Sequence, residues 1–305
     1  MKKLFAFTII LTLIVSCSSE SENDPVDNEQ AGKTFIPDDV FETILINQGY
    51  DDVLDNYVET KTIEKISKFI FHDDKNHLNV FDSKGIEDFI NLDTLHVLNH
   101  KFATIDVTKM KNLKYLYLDY GELESIDISN NTNLEFLILS RNKLTSLDVT
   151  KNINLKNLDV ADNQLISIDL STNSKLVTFR AYNNSFSSIK IPMNSNLRRL
   201  FLTDSNLPNS FNINNYPNLT SLALNNCSLT NIDVSNHINF ESLSLKNNLL
   251  SSLDITNNTK LHTLSTTENP NLNCIKGSDY HINKWNTDKD RYRIDNHTIV
   301  AKICN

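Results

Sequence analysis

Large apolar residues recur along this chain at a fixed interval, and that interval limits the folds open to it. From Leu92 the step is 21 residues, through Leu113, Leu134, Leu155, Leu176 and Leu197; one step of 22 leads to Leu219, and Phe240 and Leu261 follow at 21. Within each unit, apolar side chains fall at offsets 0, 3, 5, 10 and 13. Leu134, Leu137, Leu139, Leu144 and Leu147 show the pattern in full, with Asn142 at offset 8. Such a period lies within the range of about 20 to 50 residues found in stacked-repeat architectures. One unit cannot bury its own apolar face, so neighbouring units must share a continuous core, and the two end units need covers. A chain of this kind presents long outer surfaces. With 5 glycines in 305 residues, asparagine must supply many of the tight turns.

The order LxxLxLxxN/CxL resembles the signature of leucine-rich repeat proteins. That resemblance implies an α/β fold: a horseshoe-shaped solenoid with parallel strands on its concave face, little helix on its back and a short helical N-terminal cap. The caps are similar to those of secreted and surface leucine-rich repeat proteins from flavobacteria, in the Bacteroidetes. The stretches concerned are Ile36-Pro37-Asp38 through Phe41-Glu42, then Gly49-Tyr50-Asp51 and Leu54-Asp55, the recurring Leu-Asp-Val-Ser/Thr block, and Asn269-Pro270-Asn271-Leu272-Asn273-Cys274-Ile275 followed by Trp285 and a last cysteine. Residues 35–62 are the expected N-terminal cap, with Asp38 as helix N-cap and Gly49 as its stop. Residues 63–272 are the expected repeats, beginning with an atypical unit that has one strand through Ile66, Phe69 and Phe71. Residues 273–305 form the C-terminal cap.

The N-terminal residues read as a secretory signal, assigned to 1–16. Lys2 and Lys3 precede an apolar run from Leu4 to Val15 that ends at Ser16 and Cys17. As a helix the run is about 18 Å long, against roughly 30 Å of hydrocarbon, too short for a stable span. Ile14-Val15-Ser16-Cys17 resembles the bacterial lipobox, which implies cleavage before Cys17 and acylation, palmitate included, on that residue. Residues 17–34 are then the lipidated cysteine and a polar, disordered tether. Glu20, Glu22 and Asp24 resemble the export signal of surface lipoproteins in the Bacteroidetes, which implies an outer-membrane, cell-surface location. Many members of that group carry a C-terminal secretion-sorting domain; here lipid anchoring is the expected route instead.

Cys227 stands at offset 8, where other units have Asn142, Asn163, Asn184, Asn248 and Asn269, and cysteine is the usual substitute there in this repeat family. It reads as a structural, buried residue. Cys274 and Cys304 flank the last segment and are expected to form a disulfide in an oxidising compartment.

Residues at offsets 2, 4, 6 and 7 flank the buried strand leucines and so face the concave side. In units two to four they include Tyr115, Tyr117, Asp119 and Tyr120, then Phe136, Ile138 and Arg141, then Asn157, Asp159 and Asp162. Units five and six supply Arg180, Tyr182, Arg199 and Phe201. The last three units offer Ser221, Ala223, Asn225, Ser242, Ser244, Thr263 and Ser265. Aromatic residues suit any strand surface, but half of this face lacks them, and Tyr, Phe and Arg at such density match binding hot spots. The candidate ligand-binding residues are Tyr115, Tyr117, Phe136, Ile138, Asp159, Arg180, Tyr182, Arg199 and Phe201. At offset 14, on the opposite side, stand Asp106, Asp127, Asp148, Asp169, Asp233 and Asp254, with Lys190 and Asn212 interrupting the row. Such a row is one way to hold Ca²⁺; the favoured reading is that each carboxylate accepts backbone N–H groups of its own turn.

No HExxH, GxSxG, CxxC pair or glycine-rich phosphate loop occurs, and His96 and His100, four apart on a strand, do not make a helical ligand pair. The chain is therefore expected to be no enzyme and to use no cofactor or metal. A net charge of −9 argues against nucleic acid or bare anionic membrane as partner. The expected function is a lipid-anchored surface module, monomeric, that recognises a protein or glycan through its concave face. The alternative is a periplasm-facing structural or accessory subunit of an outer-membrane complex.

Overall fold

The computed structural model describes residues 30–71, 79–193, 196–205, 207 and 211–304. The expected signal peptide (1–16), Cys17 and the tether as far as residue 29 lie outside the described residues.

Two short strands, β1 (Lys33–Phe35) and β2 (Tyr57–Glu59), pair antiparallel and frame the helix α1 (Asp39–Asn47). Asp38 caps that helix: its Oδ1 accepts from the Phe41 N–H at 2.9 Å, while Oδ2 accepts from the N–H groups of Phe81 and Asp82 at 2.7 and 3.0 Å. Gly49, at φ +77°, turns the chain away after the helix. Glu42 is buried, and its Oε1 accepts from the N–H groups of Asp55 and Tyr57. The short helix α2 (Thr60–Ile63) leads into the first coil. Phe41, Phe69 and Phe89 join cap to repeats through ring contacts of 5.2–6.1 Å. Gly85 makes that junction possible: at φ +93°, a β-carbon there would lie 2.3 Å from the Ile36 side chain and 2.7 Å from the Phe35 carbonyl oxygen.

The strands that follow are β3 (Lys68–Phe71), β4 (Thr94–Val97), β5 (Tyr115–Tyr117), β6 (Phe136–Ile138), β7 (Asn157–Asp159), β8 (Ser167–Asp169), β9 (Thr178–Arg180) and β10 (Ser188–Lys190). Beyond them come β11 (Arg199–Phe201), β12 (Ser221–Ala223), β13 (Ser242–Ser244), β14 (Leu253–Asp254), β15 (Thr263–Ser265), β16 (Cys274–Lys276), β17 (Tyr292–Arg293) and β18 (Ile299–Ala301). Among the described residues, eleven of these form one parallel sheet in the order β3-β4-β5-β6-β7-β9-β11-β12-β13-β15-β17. Each repeat contributes three residues whose central side chain is buried: Leu116, Leu137, Leu158, Phe179, Leu200, Leu222, Leu243 and Leu264 are all at most 1% exposed. Removing each such side chain from water stabilises the stack by about 1.5–3 kcal/mol. On the back, β8 pairs with β10, and β14 with β16 and β18.

Four residues after each central strand residue the backbone turns left-handed. Asn99, Tyr120, Arg141, Asp162, Asn183, Asp204, Asn226, Asn247 and Glu268 all have φ between 52° and 64°. Asparagine and aspartate fill six of these turns, as the shortage of glycine requires. Tyr120, Arg141 and Glu268 do not fit that rule, because long side chains gain nothing from local hydrogen bonds in this conformation.

A ladder of buried asparagines holds the coils together. Asn163 Nδ2 donates to the carbonyls of Leu139, Val160 and Ala161, and its Oδ1 accepts from the Leu144 N–H at 3.0 Å. Asn142, Asn184, Asn248 and Asn269 repeat the arrangement. Cys227 takes the same place, its thiol donating to the Leu202 carbonyl at 3.2 Å, and burial pushes its pKa up to about 11, so it is an inert thiol. At the head of the ladder stands His100, fully buried, its ring stacked on Phe102 at 4.0 Å. The ring fills the space that the next unit's asparagine would use: a β-carbon on Gly121 would lie 2.1 Å from it. A second ladder, on the back, has Asn131, Asn152, Asn173 and Asn258 donating to carbonyls one coil earlier. His237 occupies one of its rungs and His281, from the cap, takes the carbonyl at its end.

The carboxylates at offset 14 close local turns. Asp106, Asp127, Asp148, Asp169, Asp233 and Asp254 each accept the N–H two residues on, at 2.8–2.9 Å. Lys190, which interrupts the row, pairs with Asp169 at 2.8 Å, and Lys276 pairs with Asp254 at 2.9 Å. The C-terminal cap contains regular structure that no repeat pattern announces. A helix, α3 (Asp279–Thr287), covers the last coil, β17 extends the main sheet, and Cys274 is joined to Cys304 by a disulfide.

Candidate ligand-binding surface

Strand register decides which outward residues are neighbours. Along the sheet Tyr115 pairs with Phe136, Phe136 with Asn157, Asn157 with Thr178 and Thr178 with Arg199. The second row runs His96, Tyr117, Ile138, Asp159, Arg180, Phe201. Tyr115, Tyr117, Phe136, Ile138, Asp159, Arg180, Arg199 and Phe201 therefore sit on five consecutive strands and point to one side. At about 4.8 Å per strand they span roughly 20 Å. Tyr182, two residues beyond β9, stands half-buried at the edge of the second row.

The side chains are half-buried by one another, apart from Arg199, which is exposed. The Tyr115 and Phe136 rings stack at 5.2 Å, and His96 and Tyr117 lie tilted at 5.1 Å. The Arg180 guanidinium sits 5.5 Å over the Phe201 ring and 3.8 Å from an Asp159 carboxylate oxygen. Rings and cations hold each other in place, which lowers the ordering cost of presenting them to a ligand.

Two acids on this face are short of compensation. Burial raises the pKa of Asp159 above the ordinary carboxylate value, outweighing the Ala161 N–H it accepts and the nearby Arg180. Burial likewise raises Asp119, against the opposing pull of its own backbone and Arg141. Burial also raises the phenols of Tyr117 and Tyr182. Carboxylates partly out of water favour a cationic group on whatever covers them.

One pair on the rim was outside the candidate set. The Arg141 guanidinium lies 4.4 Å over the Tyr120 ring and 3.6 Å from Asp162, and both Tyr120 and Arg141 occupy left-handed turn positions. The signal was present in the sequence: Tyr and Arg stand at an offset where most units carry Asn or Asp. On the other half of the sheet, Ser221, Ala223, Ser242, Ser244, Thr263 and Ser265 occupy the same two rows. Asn225 there accepts from the Ser244 hydroxyl and the Lys246 N–H.

Neither a protein-family model nor a curated protein matches the chain. Solved structures do. The functional domain of InlJ from Listeria monocytogenes, which includes a cysteine ladder, aligns with a TM-score of 0.71 at 23% identity, over 80% of this chain and 56% of that one. A leucine-rich repeat protein of Leptospira interrogans gives 0.51 at 23%, over 69% and 62%. The fold is that of leucine-rich repeat proteins. The leucine-rich repeat ectodomain of a plant receptor kinase from Arabidopsis thaliana, solved in complex with Casparian strip integrity factor 2, gives 0.51 at 22%, over 66% and 26%. This chain spans little more than half the length of the Listeria structure, and at these identities the likeness is one of fold.

Proposed function

We propose that this protein is a lipid-anchored binding module on the bacterial surface, of flavobacterial type, that captures a protein ligand on the first half of its concave sheet without catalysis. The observation that carries the reading is the contiguous surface of Tyr115, Tyr117, Phe136, Ile138, Asp159, Arg180 and Phe201 on five adjacent strands. The equivalent positions of the next strands are small, and polar but for Ala223. Ile138 and the Tyr115–Phe136 stack suit an apolar patch on a protein, and Asp119 and Asp159 suit basic groups around it. The Arabidopsis ectodomain, with its bound factor, is an instance of the same fold holding a ligand. Anchoring rests on Cys17 and its lipobox-like context.

Two experiments test the reading. The body from Gly32 onward, immobilised and exposed to surface extracts, captures a ligand that the Tyr117→Ala, Phe201→Ala double variant does not; equal capture by both would sink the concave site. On intact cells, added protease removes the wild-type protein, and Cys17→Ser abolishes its membrane partition and lipid labelling. Survival under protease would favour the periplasm-facing accessory subunit instead.

A further inference from the structure

The C-terminal cap borders an open cleft of about 610 Å³, away from the aromatic patch, lined in part by Thr267, Trp285, Lys289, Arg293, Asp295 and Asn296. It opens beside the end of the main sheet, where Arg293 of β17 is in register with Ser265 of β15. Its frame is fixed: Tyr292 is buried and its hydroxyl donates to the Leu261 carbonyl at 2.7 Å. Asp295 is committed to the fold, since its two carboxylate oxygens accept the N–H groups of Glu268 and Asn269 at 3.0 Å each.

The cations of the cleft are not committed in that way. Lys289 Nζ rests 4.1 Å over the Trp285 ring, and Arg293 gives its Nε–H to the Asp290 carbonyl at 3.0 Å. Among the described residues, neither forms an ion pair. Elsewhere lysines find carboxylates readily, as in Lys143–Glu122, Lys156–Glu135 and Lys276–Asp254 at 2.7–2.9 Å. In a chain of net charge −9, two cations outside any ion pair line one cleft beside the single tryptophan and against one carboxylate, Asp295, which leaves a net positive lining. The volume falls in the range of about 300–1,000 Å³ used for small organic ligands, far more than an inorganic ion needs. An indole ring offers a flat apolar surface to sugar C–H groups, and the Thr267 hydroxyl and Asn296 amide offer partners for sugar hydroxyls.

We propose that this cleft binds an acidic sugar, with its carboxylate held by Lys289 and Arg293 and its ring against Trp285. The site is separate from the concave protein-binding patch and does not depend on it. Trp285 is half-buried but Lys289 is exposed, and an exposed cation over a ring is weakly held, so the carboxylate draws the Lys289 ammonium off the indole, and the emission of the ring changes as it does.

Because Trp285 is the only tryptophan, selectively excited emission of the full chain reports this cleft alone. Titration with galacturonate and glucuronate trisaccharides is expected to give a saturable change, and the neutral galactose trisaccharide to bind at least tenfold more weakly. Lys289→Ala and Arg293→Ala should each weaken the acidic sugars about tenfold with an unaltered melting temperature, Lys289→Arg should retain binding, and Tyr117→Ala should have no effect. Absence of a saturable change with both acidic sugars would overturn the proposal. An equal response to the neutral sugar, or to a glutamate tripeptide, would also overturn it, as would binding that survives loss of both cations.

Discussion

From β5 to β11 the concave face carries tyrosine, phenylalanine, isoleucine and arginine around Asn157, Asp159 and Thr178; from β12 to β15 the same rows carry only serine, alanine and threonine. Behind both stretches the skeleton is the same. Asn163 donates to the Leu139 and Val160 carbonyls at 2.9 and 3.1 Å, and Asn248 donates to the Leu224 and Leu245 carbonyls at 2.8 and 3.0 Å. The strands keep one register, and each has a buried leucine or phenylalanine at its centre. Small polar residues therefore satisfy the fold at these outward positions. What the first half adds is surplus to folding, and a surplus of rings and guanidinium groups on one contiguous face is the composition of an interface.

The largest effect tests the shared skeleton. Asn163→Ala and Asn248→Ala are each expected to cost about 3 kcal/mol in denaturant unfolding, because each leaves a buried N–H and buried carbonyls without partners. Equal losses would confirm that the halves are built alike; a much smaller loss at Asn163 would show that the aromatic half is held by its outward residues instead.

Acid comes next. The ladder starts at His100 in the first repeat, and burial lowers that ring's pKa from its ordinary value of 6.5 to about 4. A folded-state value below the unfolded one means that the unfolded chain binds the extra proton. Stability from this group is complete above pH 6.5 and is lost as pH falls toward 4, amounting to about 3 kcal/mol. Burial shifts His237 and His281 in the same direction, so they deepen the decline. Urea midpoints measured between pH 7 and pH 4 should fall throughout that window; a flat profile would contradict a neutral, buried His100.

The left-handed turns sharpen the contrast at one place. Asn226 and Asn247, then Glu268, fill them in the polar half, and Asp162, Asn183 and Asp204 fill three in the aromatic half, where Tyr120 and Arg141 stand at the other two. Tyr120→Asn is expected to raise stability by about 0.5–1 kcal/mol while weakening ligand capture, the signature of strain kept for function. A loss of stability on the same substitution would make the Tyr120–Arg141 stack structural. The smallest effects belong to Ser242→Ala and Ser265→Ala, which should change stability by less than about 0.5 kcal/mol and ligand capture not at all.

The repeat period, the register of the strands, the asparagine ladder and the place of Cys227 were legible because each is a side chain recurring at one offset. Asp38 as helix cap and the carboxylate turns at offset 14 followed from local chemistry in the same way. The second ladder recurs just as regularly at Asn131, Asn152 and Asn173 but sits in the variable back of the coil, where no leucine pattern draws the eye. His100 and Gly121 could not be read singly, since each makes sense only as the complement of the other across a coil. Trp285, Lys289 and Arg293 belong to a non-repeating cap, so no periodicity places them in one cleft. Exposure was also only partly legible: most of the candidate residues are half-buried by contacts such as Tyr115 on Phe136, which depend on side-chain direction across strands.

The first half of the concave sheet, and not the second, is the proposed binding surface. The direct measurement is the affinity of the captured ligand for three forms of the body from Gly32: the wild type, the Tyr117→Ala, Phe201→Ala variant and the Ser244→Ala, Ser265→Ala variant, each shown to be folded by circular dichroism. Loss of about 1–3 kcal/mol per aromatic side chain, with the serine variant binding as the wild type does, is the result expected. Equal losses in the two variants, or unchanged affinity in the aromatic one, would contradict the account.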